Sequence, residues 1–451
     1  MLALSRNRQR WLDLGDPAEH FRLLHGGHAQ RVAVCTKQGG EWSENVYAHD
    51  DAGSLAVQFA GSFDLNVYQS QNGFHKRRTI ADVAAITSSY LDLDFYKVPG
   101  LAGLSVEEIL DRVLDAHPWL PAPTFIVSSG RGGYFSWLYP QPLGGELLPK
   151  WKAVEDILCQ LLAPFGADPQ ARDAARVLRV IGSVNQKSGE RVTGSRDTGG
   201  AIAFDHLYRL VTTYGLAELR KRAQAQSSAA GLVVASTADV ERAVRDSGKA
   251  TAAQRAQHLL PLQLAHDRMA DCRVIARLRG VPLTDYRARL LFVFAASAVW
   301  YATAEDQLEA ELVAFADDHF ADGKRYGLRQ VGTVIDRLRL DQEGLPRIWD
   351  GARIPNRYRL SNPWIIDSLE ITGAEQRELR TVISAQERQR RRVERRRKAG
   401  MVTREDYQAA AQDRRTRAVA LRQRGLTQTA IAAELGITQG HVSKLLRAAK
   451  P

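Results

Sequence analysis

The run Ser89-Tyr-Leu-Asp92-Leu-Asp94-Phe-Tyr96 alternates in period two, so on a strand Leu91, Leu93 and Phe95 face one side while Asp92 and Asp94 face the other. Two carboxylates side by side repel each other unless a cation sits between them, and Mg²⁺ or Mn²⁺ is the hard cation that oxygen ligands select. The plain alternative is the wet face of a half-buried strand. Downstream, Ser128-Ser129-Gly-Arg131-Gly-Gly-Tyr134-Phe-Ser-Trp137 reads as a strand that ends in a glycine-rich turn, with a second strand beginning at once. Such a turn lets backbone N–H groups approach phosphate oxygens, and Arg131 adds charge-assisted contacts, although a simple hairpin has the same composition. A third segment, Gly166 to Lys187, supplies one more carboxylate, Asp173, together with Arg176, Arg179, Asn185 and Lys187 on an expected strand and turn. Ordinary surface ion pairs would account for that segment equally well.

Taken in order, the three segments resemble the motifs of the archaeo-eukaryotic primase (primase-polymerase) superfamily, and within it the replication proteins and small primases of bacterial plasmids and integrative elements. The superfamily's strand-borne DhD corresponds to Asp92-Leu-Asp94, its glycine-rich hairpin to Ser129 through Trp137, and its further metal-binding Asp to Asp173. The run Asp173-x2-Arg176-x2-Arg179-x2-Gly-Ser-x-Asn185-x-Lys187 is the most specific part, and Asn66 to Arg78 is similar to the same proteins. The resemblance covers roughly residues 30 to 215. It implies an α+β catalytic domain with an RRM-like mixed sheet and flanking helices. It also implies template-directed primer synthesis by two-metal nucleotidyl transfer, in the replication of a plasmid or integrative mobile element. On it, Asp92, Asp94 and Asp173 hold two Mg²⁺ or Mn²⁺ ions, and Ser129, Arg131, Tyr134, Arg176, Arg179, Asn185 and Lys187 surround the nucleoside triphosphate. One departure matters: many members have His where Tyr134 stands, and Tyr carries no positive charge, so that contact passes to Arg131 or Lys187.

Near the end, Leu426 to Leu446 places Gln428, Ala432, Gly436 and Val442 at helix-turn-helix spacing. Ala432 lets two helices cross closely, Gly436 supplies a left-handed turn and Val442 anchors the second helix. Gln439, His441, Ser443 and Lys444 are then left for a major groove. A small helical hairpin for protein contact is the alternative. Before it, residues 388 to 398 carry eight basic side chains in eleven, Arg391 and Arg395 among them. Such a helix fits along DNA phosphates, or is simply a solvated charged helix.

These pieces set the expected organisation: a catalytic domain over 1–220, a linker over 221–256, a helical domain over 257–345, a mixed segment with the Arg-rich helix over 346–400, and a helix-turn-helix domain over 401–451. Within the first, Ser105 and Glu108 form a capping box opening a helix, and an amphipathic helix is expected from about Pro149 to Pro164. Across 451 residues, 62 Lys and Arg against 51 Asp and Glu give a formal net charge of +11, which favours a polyanionic partner. Single-stranded template, nucleoside triphosphates and double-stranded origin DNA are the expected partners, with no membrane. The start has no apolar core of signal-peptide length, and the longest apolar run, Leu290 to Ala302, is too short to span a bilayer and reads as a buried helix. Cys35, Cys159 and Cys272 are too scattered for a disulfide framework or zinc site, which fits a reducing cytoplasm.

A non-catalytic replication initiator or transcription regulator is the rival reading, keeping the helix-turn-helix and treating the three aspartates as structural. A rolling-circle nuclease needs a His-x-His pair that none of the eleven histidines forms, and no Gly-x4-Gly-Lys-Ser/Thr loop is present, so any helicase must be a separate protein.

Overall fold

The acidic run ends the long strand β6 (Val83–Leu93), near one edge of an antiparallel sheet. In this computed structural model the described residues are 11–197, 199–229, 252–323, 331–349, 352–400 and 404–447. The six-stranded sheet runs in the order β1 (Trp11–Asp13), β12 (Thr193–Asp197), β7 (Phe125–Ser128), β8 (Gly133–Leu143), β6 and β5 (Gly73–Phe74). A second sheet of four strands has the order β3 (Glu41–Tyr47), β2 (Val32–Gln38), β4 (Asn66–Ser70) and β9 (Val177–Arg179). The expected α+β class stands, with the strands arranged as two antiparallel sheets. A short hairpin, β10 (Val184–Asn185) with β11 (Glu190–Arg191), turns between them.

Helices cover both sheets. α1 (Pro17–His25) and α2 (His49–Ala60) pack Phe21, Ala52 and Ala56 onto Val32, Val34 and Val67 of the smaller sheet. α3 (Val106–Ala116) opens with the anticipated capping box, both Ser105 and Glu108 bonds being formed. α4 (Leu148–Leu162) occupies the position of the expected amphipathic helix, yet it is buried nearly all round. One side lies on β6, where the Trp151 indole N–H donates to the Ser88 carbonyl at 2.8 Å. Its other side is packed by α7 (Ala252–Arg279), which leaves Gln160 as its one exposed residue. Each large apolar side chain buried this way contributes roughly 1.5–3 kcal/mol.

The burial traps one acid. Glu155 of α4 is fully buried, with the Ser89 hydroxyl and the Tyr90 backbone as the polar groups beside its carboxyl. Burial pushes its carboxyl up to about 8, outweighing the pull of nearby Ser89 and the Tyr90 backbone. A carboxyl whose folded pKa exceeds its unfolded value retains in the native state a proton the unfolded chain releases, so stability falls as pH rises between those values. Glu155→Gln is therefore expected to leave Tm unchanged near pH 4 and to raise it by a growing margin from about pH 5 to 9, read by thermal melts across that range.

The helical region continues through α8 (Arg287–Ala298), α9 (Glu305–His319) and α10 (Gly332–Gln342). The apolar run from Leu290 is buried in α8, as expected. Two short helices follow, α11 (Asn362–Ser368) and α12 (Gly373–Glu378). Asp271 of α7 accepts the backbone N–H groups of Arg380, Thr381 and Val382 at 2.7, 2.8 and 2.9 Å. That anchor extends one compact unit to Val382, and a second comprises Ile383 onward.

The expected linker is helical at its start, since α6 (Leu216–Ala229) crosses residue 220 after α5 (Phe204–Leu210). The rest of that linker, 230–251, lies outside the described residues, and α7 begins at Ala252. The second unit holds α13 (Ala385–Lys398), α14 (Arg404–Gln423), α15 (Gln428–Leu435) and α16 (Gln439–Arg447). No described helix is long and apolar enough to cross a membrane, and the three cysteines are free and buried.

Candidate active site

Asp92 lies opposite Tyr134 in the β6–β8 ladder, one residue before the strand ends. Asp94 stands just beyond the strand, where the backbone turns into a short 3₁₀ helix, and its carboxylate pairs with Lys97 at 2.6 Å. The alternation anticipated from sequence is present: Leu91, Leu93 and Phe95 are buried while both aspartates are partly open. The turn before the third segment folds against this strand end. Gly166 adopts φ +86°, and a Cβ there would sit 2.8 Å from the Asp94 carbonyl carbon, so the approach requires glycine. Asp94 N–H donates to Gly166 O at 2.8 Å and Asp168 N–H to Asp92 O at 2.9 Å.

This pairing delivers a carboxylate, Asp168, that lies within the third segment but was not among its candidate ligands. Burial first, then the charges of Asp94 and Asp168, push the Asp92 carboxyl up to about 7. Asp168 is half-buried and takes the Gln170 N–H at 2.9 Å on one oxygen. Its signal in the sequence was its place in Gly166-Ala-Asp-Pro, a turn ahead of the strand carrying Arg179.

Asp173, expected as the third metal ligand, has its carboxylate turned into the protein. It is 2% exposed, and both its oxygens are committed inside the protein. Oδ2 accepts from Arg176 Nε at 2.9 Å and Thr303 Oγ1 at 3.3 Å, while Oδ1 accepts from Ala175 N–H at 3.0 Å and from the Gln307 amide. Thr303 and Gln307 belong to the helical region, so this carboxylate ties the two-sheet region to the helices after it. Arg176 pairs with Asp173 in the same lock and also lies close enough to Asp92 and Asp168 for their charges to act on it.

The other expected nucleotide contacts divide by exposure. Tyr134 is 1% exposed and its hydroxyl donates to Arg179 O at 2.6 Å, which corrects its place among the nucleotide contacts: it supports the strand beneath. Arg131 and Lys187 are exposed, and Arg131 Nη2 donates to the Lys187 carbonyl at 2.7 Å. Asn185 Nδ2 donates to Ser129 O at 2.6 Å, so hairpin and turn are stitched together. Gly130, at φ +95°, permits this, because a Cβ there would meet Ser188 Oγ at 2.4 Å. Arg179 stacks over Tyr68 at 4.8 Å, donates to Asn66 Oδ1 at 2.7 Å, and lies close enough to Asp92 to favour its ionised form.

Among the described residues, no three His, Cys, Asp or Glu side chains form a ready-made metal cage. The arrangement nonetheless suits Mg²⁺, which keeps several waters and is usually held by one or two carboxylates plus substrate phosphates. The charges of Asp94 and Asp168 bear on Asp92, and the glycine-rich turn carrying exposed Arg131 lies against the same strand end, a Cβ at Gly132 falling 2.4 Å from Leu93 O.

In the second unit, Ala418, Leu421, Ile431, Ala432 and Val442 form the core. Gly436 takes the left-handed conformation at φ 63° after α15, as its spacing required. His441 and Lys444 are exposed on α16, Ser443 is half-exposed, and the Gln439 amide donates to Gln428 Oε1 at 2.9 Å. α13 has two faces. Glu387 pairs with Arg390 and Arg391 at 2.7 and 2.8 Å, whereas Arg388, Arg392, Arg395 and Arg396 line a shallow concavity on another side.

Comparison with known proteins finds similarity to a replication protein over part of the chain and to solved primase structures at low identity. No family model matches it. A replication protein of Clostridium perfringens is 30% identical over 189 residues, 41% of this chain and 42% of that relative, so the match spans less than half of either protein. Among solved structures, the AEP domain of the cyanophage S-2L primase-polymerase covers 44% of this chain and 96% of its own, at 17% identity and a TM-score of 0.33. The primase RepB' covers 73% of this chain and 95% of its own, at 17% identity and a TM-score of 0.30. The catalytic domain of RepB' in complex with initiator DNA covers 47% and 98%, with the same identity and TM-score.

Proposed function

We propose that this protein is a primase of a replicating DNA element, joining nucleotides on a single-stranded template at the corner formed by Asp92, Asp94 and Asp168. The observation that carries the reading is the convergence of these carboxylates beneath a glycine-rich hairpin whose Arg131 is bonded to the Lys187 turn. In the reaction a 3'-hydroxyl oxygen bonds to the α-phosphorus of an incoming triphosphate, and the bond to pyrophosphate breaks as pyrophosphate leaves. Divalent ions bound there would lower the pKa of the attacking hydroxyl and neutralise charge on the departing phosphates. Asp92, Asp94 and Asp168 would hold them, with substrate oxygens and water completing the shell. Arg131 and Lys187 would hold the triphosphate and Arg179 the phosphate nearest Asp92, with Ser129 and Asn185 fixing the hairpin that presents Arg131. Mg²⁺-dependent incorporation of labelled nucleotides on a single-stranded template, offered ribo- and deoxynucleotides separately, tests the reading. A wild-type protein that binds DNA and incorporates neither replaces it with the non-catalytic initiator.

The second unit we read as a helix-turn-helix reader of double-stranded origin DNA, with His441, Ser443 and Lys444 toward base edges and Gln439 held by Gln428 at the start of α16. The Arg388, Arg392, Arg395 and Arg396 face of α13 would lie along phosphates. Each arginine removed from a phosphate should lower the slope of log K against log salt by about 0.9. Changing these four to Gln is expected to flatten the slope by about 3 to 4, measured by duplex binding at graded salt, whereas Arg391→Gln alone should change it by less than about 0.9.

A further inference from the structure

Away from the acidic corner, α7 and α8 enclose a cavity of about 290 Å³, closed by residues 358–360. Its mouth is apolar where water would normally meet polar side chains: Leu260 is 63% exposed and Leu264 39%. Two aromatic rings line it, Trp300 and Tyr358. Each carries a guanidinium, Arg357 lying over Trp300 at 5.1 Å and Arg337 over Tyr358 at 3.2 Å from the ring centroid.

The decisive group is Arg268, which also lines the cavity and is only 8% exposed. Its Nη2 donates to Leu360 O at 2.8 Å and Asn362 Oδ1 at 3.0 Å, but its Nε has no acceptor. A buried cationic donor without an acceptor is unfavourable; burial depresses the Arg268 guanidinium despite the nearby charge of Asp271, and among the described residues its Nε has no acceptor. The cavity therefore matches a flat, largely apolar body that carries a hydrogen-bond acceptor at its edge, approached through a positively charged rim.

We propose that this cavity takes one unstacked nucleobase, lying against Trp300 or Tyr358 with a ring nitrogen or carbonyl accepting from Arg268. Every base offers a π-face and an edge acceptor, and Arg337 and exposed Arg359 suit the phosphates attached to it, Arg357 being paired with Asp341 at 2.8 Å. The space admits a single heterocycle with a little water and is too narrow for a peptide helix or a duplex, either of which is about 10 Å or more across. The proposal rests on the template-binding part of the proposed function. It adds a second foothold for the strand, on the helical region that Asp173 ties to the two-sheet region. The same heterocycle could arrive in a single strand or in a free nucleoside triphosphate, and the test separates the two.

The full chain is irradiated with a single-stranded oligonucleotide carrying 5-iodouracil, and separately with 8-azido-ATP, and the labelled peptides are mapped. Label at Trp300 or Tyr358 from the oligonucleotide identifies the strand as the source, and from azido-ATP the free nucleotide. No label there from either reagent overturns the site.

In parallel, Kd is measured for a 20-residue strand and for its abasic counterpart. Loss of one base stack should make Trp300→Leu bind the intact strand about 5- to 100-fold more weakly, with abasic binding unchanged. Equal losses on both strands overturn the proposal. Leu264→Glu, an exposed position whose added carboxylate faces the mouth, should weaken the intact strand in the same direction without any burden on the core, so a misfolded Trp300 variant leaves the question decidable. Incorporation by the wild type on an annealed primer is scored separately, and its absence removes the polymerase reading while leaving the crosslink to speak for the cavity.

Discussion

Asp92→Asn is expected to lower nucleotide incorporation by about a thousandfold or more while single-strand and duplex binding stay within a factor of about two. A thousandfold corresponds to roughly 4 kcal/mol of transition-state stabilisation, the scale of one preorganised charge removed from a reacting centre. The reason lies in the folded state. Ionised Asp92 is shut off from water by burial and, to a lesser degree, repelled by Asp94 and Asp168, which is why its carboxyl rises to about 7. Removing that charge relieves the fold, so the variant should melt at or above the wild-type temperature. An active site is where a protein tolerates such an arrangement, and loss of activity without loss of Tm distinguishes a functional carboxylate from a structural one. Asp94→Asn and Asp168→Asn should behave alike in a Mg²⁺-dependent extension assay. Full synthesis by Asp92→Asn or Asp94→Asn would sink the assignment of this corner, and full synthesis by Asp168→Asn would return the third ligand position to another residue.

How far the sequence went depended on whether the signal was local. The alternation around Asp92, the capping box at Ser105, and the Gly436 turn with its Val442 anchor were all readable, because each is set by residues within a turn or a strand of one another. α4 was placed well but its exposure was not, since the burial of its second face depends on α7, roughly a hundred residues later. The same distance explains Asp173. Beside Arg176 and Arg179 it looked like a site residue, and nothing nearby in sequence announces that Thr303 and Gln307 take up its oxygens. Asp168 was hidden for the opposite reason: its neighbours are plain, and it reaches Asp92 only because Gly166 lets the turn lie on the strand end. Tyr134 shows a third limit, as its type was visible but not the direction of its hydroxyl, which goes inward to Arg179.

Asp173→Ala is expected to destabilise the first unit by about 3–5 kcal/mol, the cost of breaking a buried pair by deleting one partner. At about 2–4 °C per kcal/mol, Tm should fall by roughly 10 °C. The deletion strands the Gln307 amide and the Ala175 N–H and takes from Arg176 its paired carboxylate, while Thr303 and Arg176 keep the Gln170 carbonyl as acceptor. Asp173→Asn keeps the volume but points an amide donor at other donors, so it too should melt early. A metal ligand predicts the reverse, since Asn at such a position would spare Tm and remove activity, as argued for Asp92. Gln307→Ala, on the helical side of the lock, should reproduce part of the loss in Tm, because its amide contacts the same carboxylate from across the junction. A double-mutant cycle between Asp173 and Gln307 should then show strong coupling, while Asp168 paired with Gln307 should be additive. Additivity in the first pair, or an unchanged Tm in Asp173→Asn, would place Asp173 back among the groups that act on substrate.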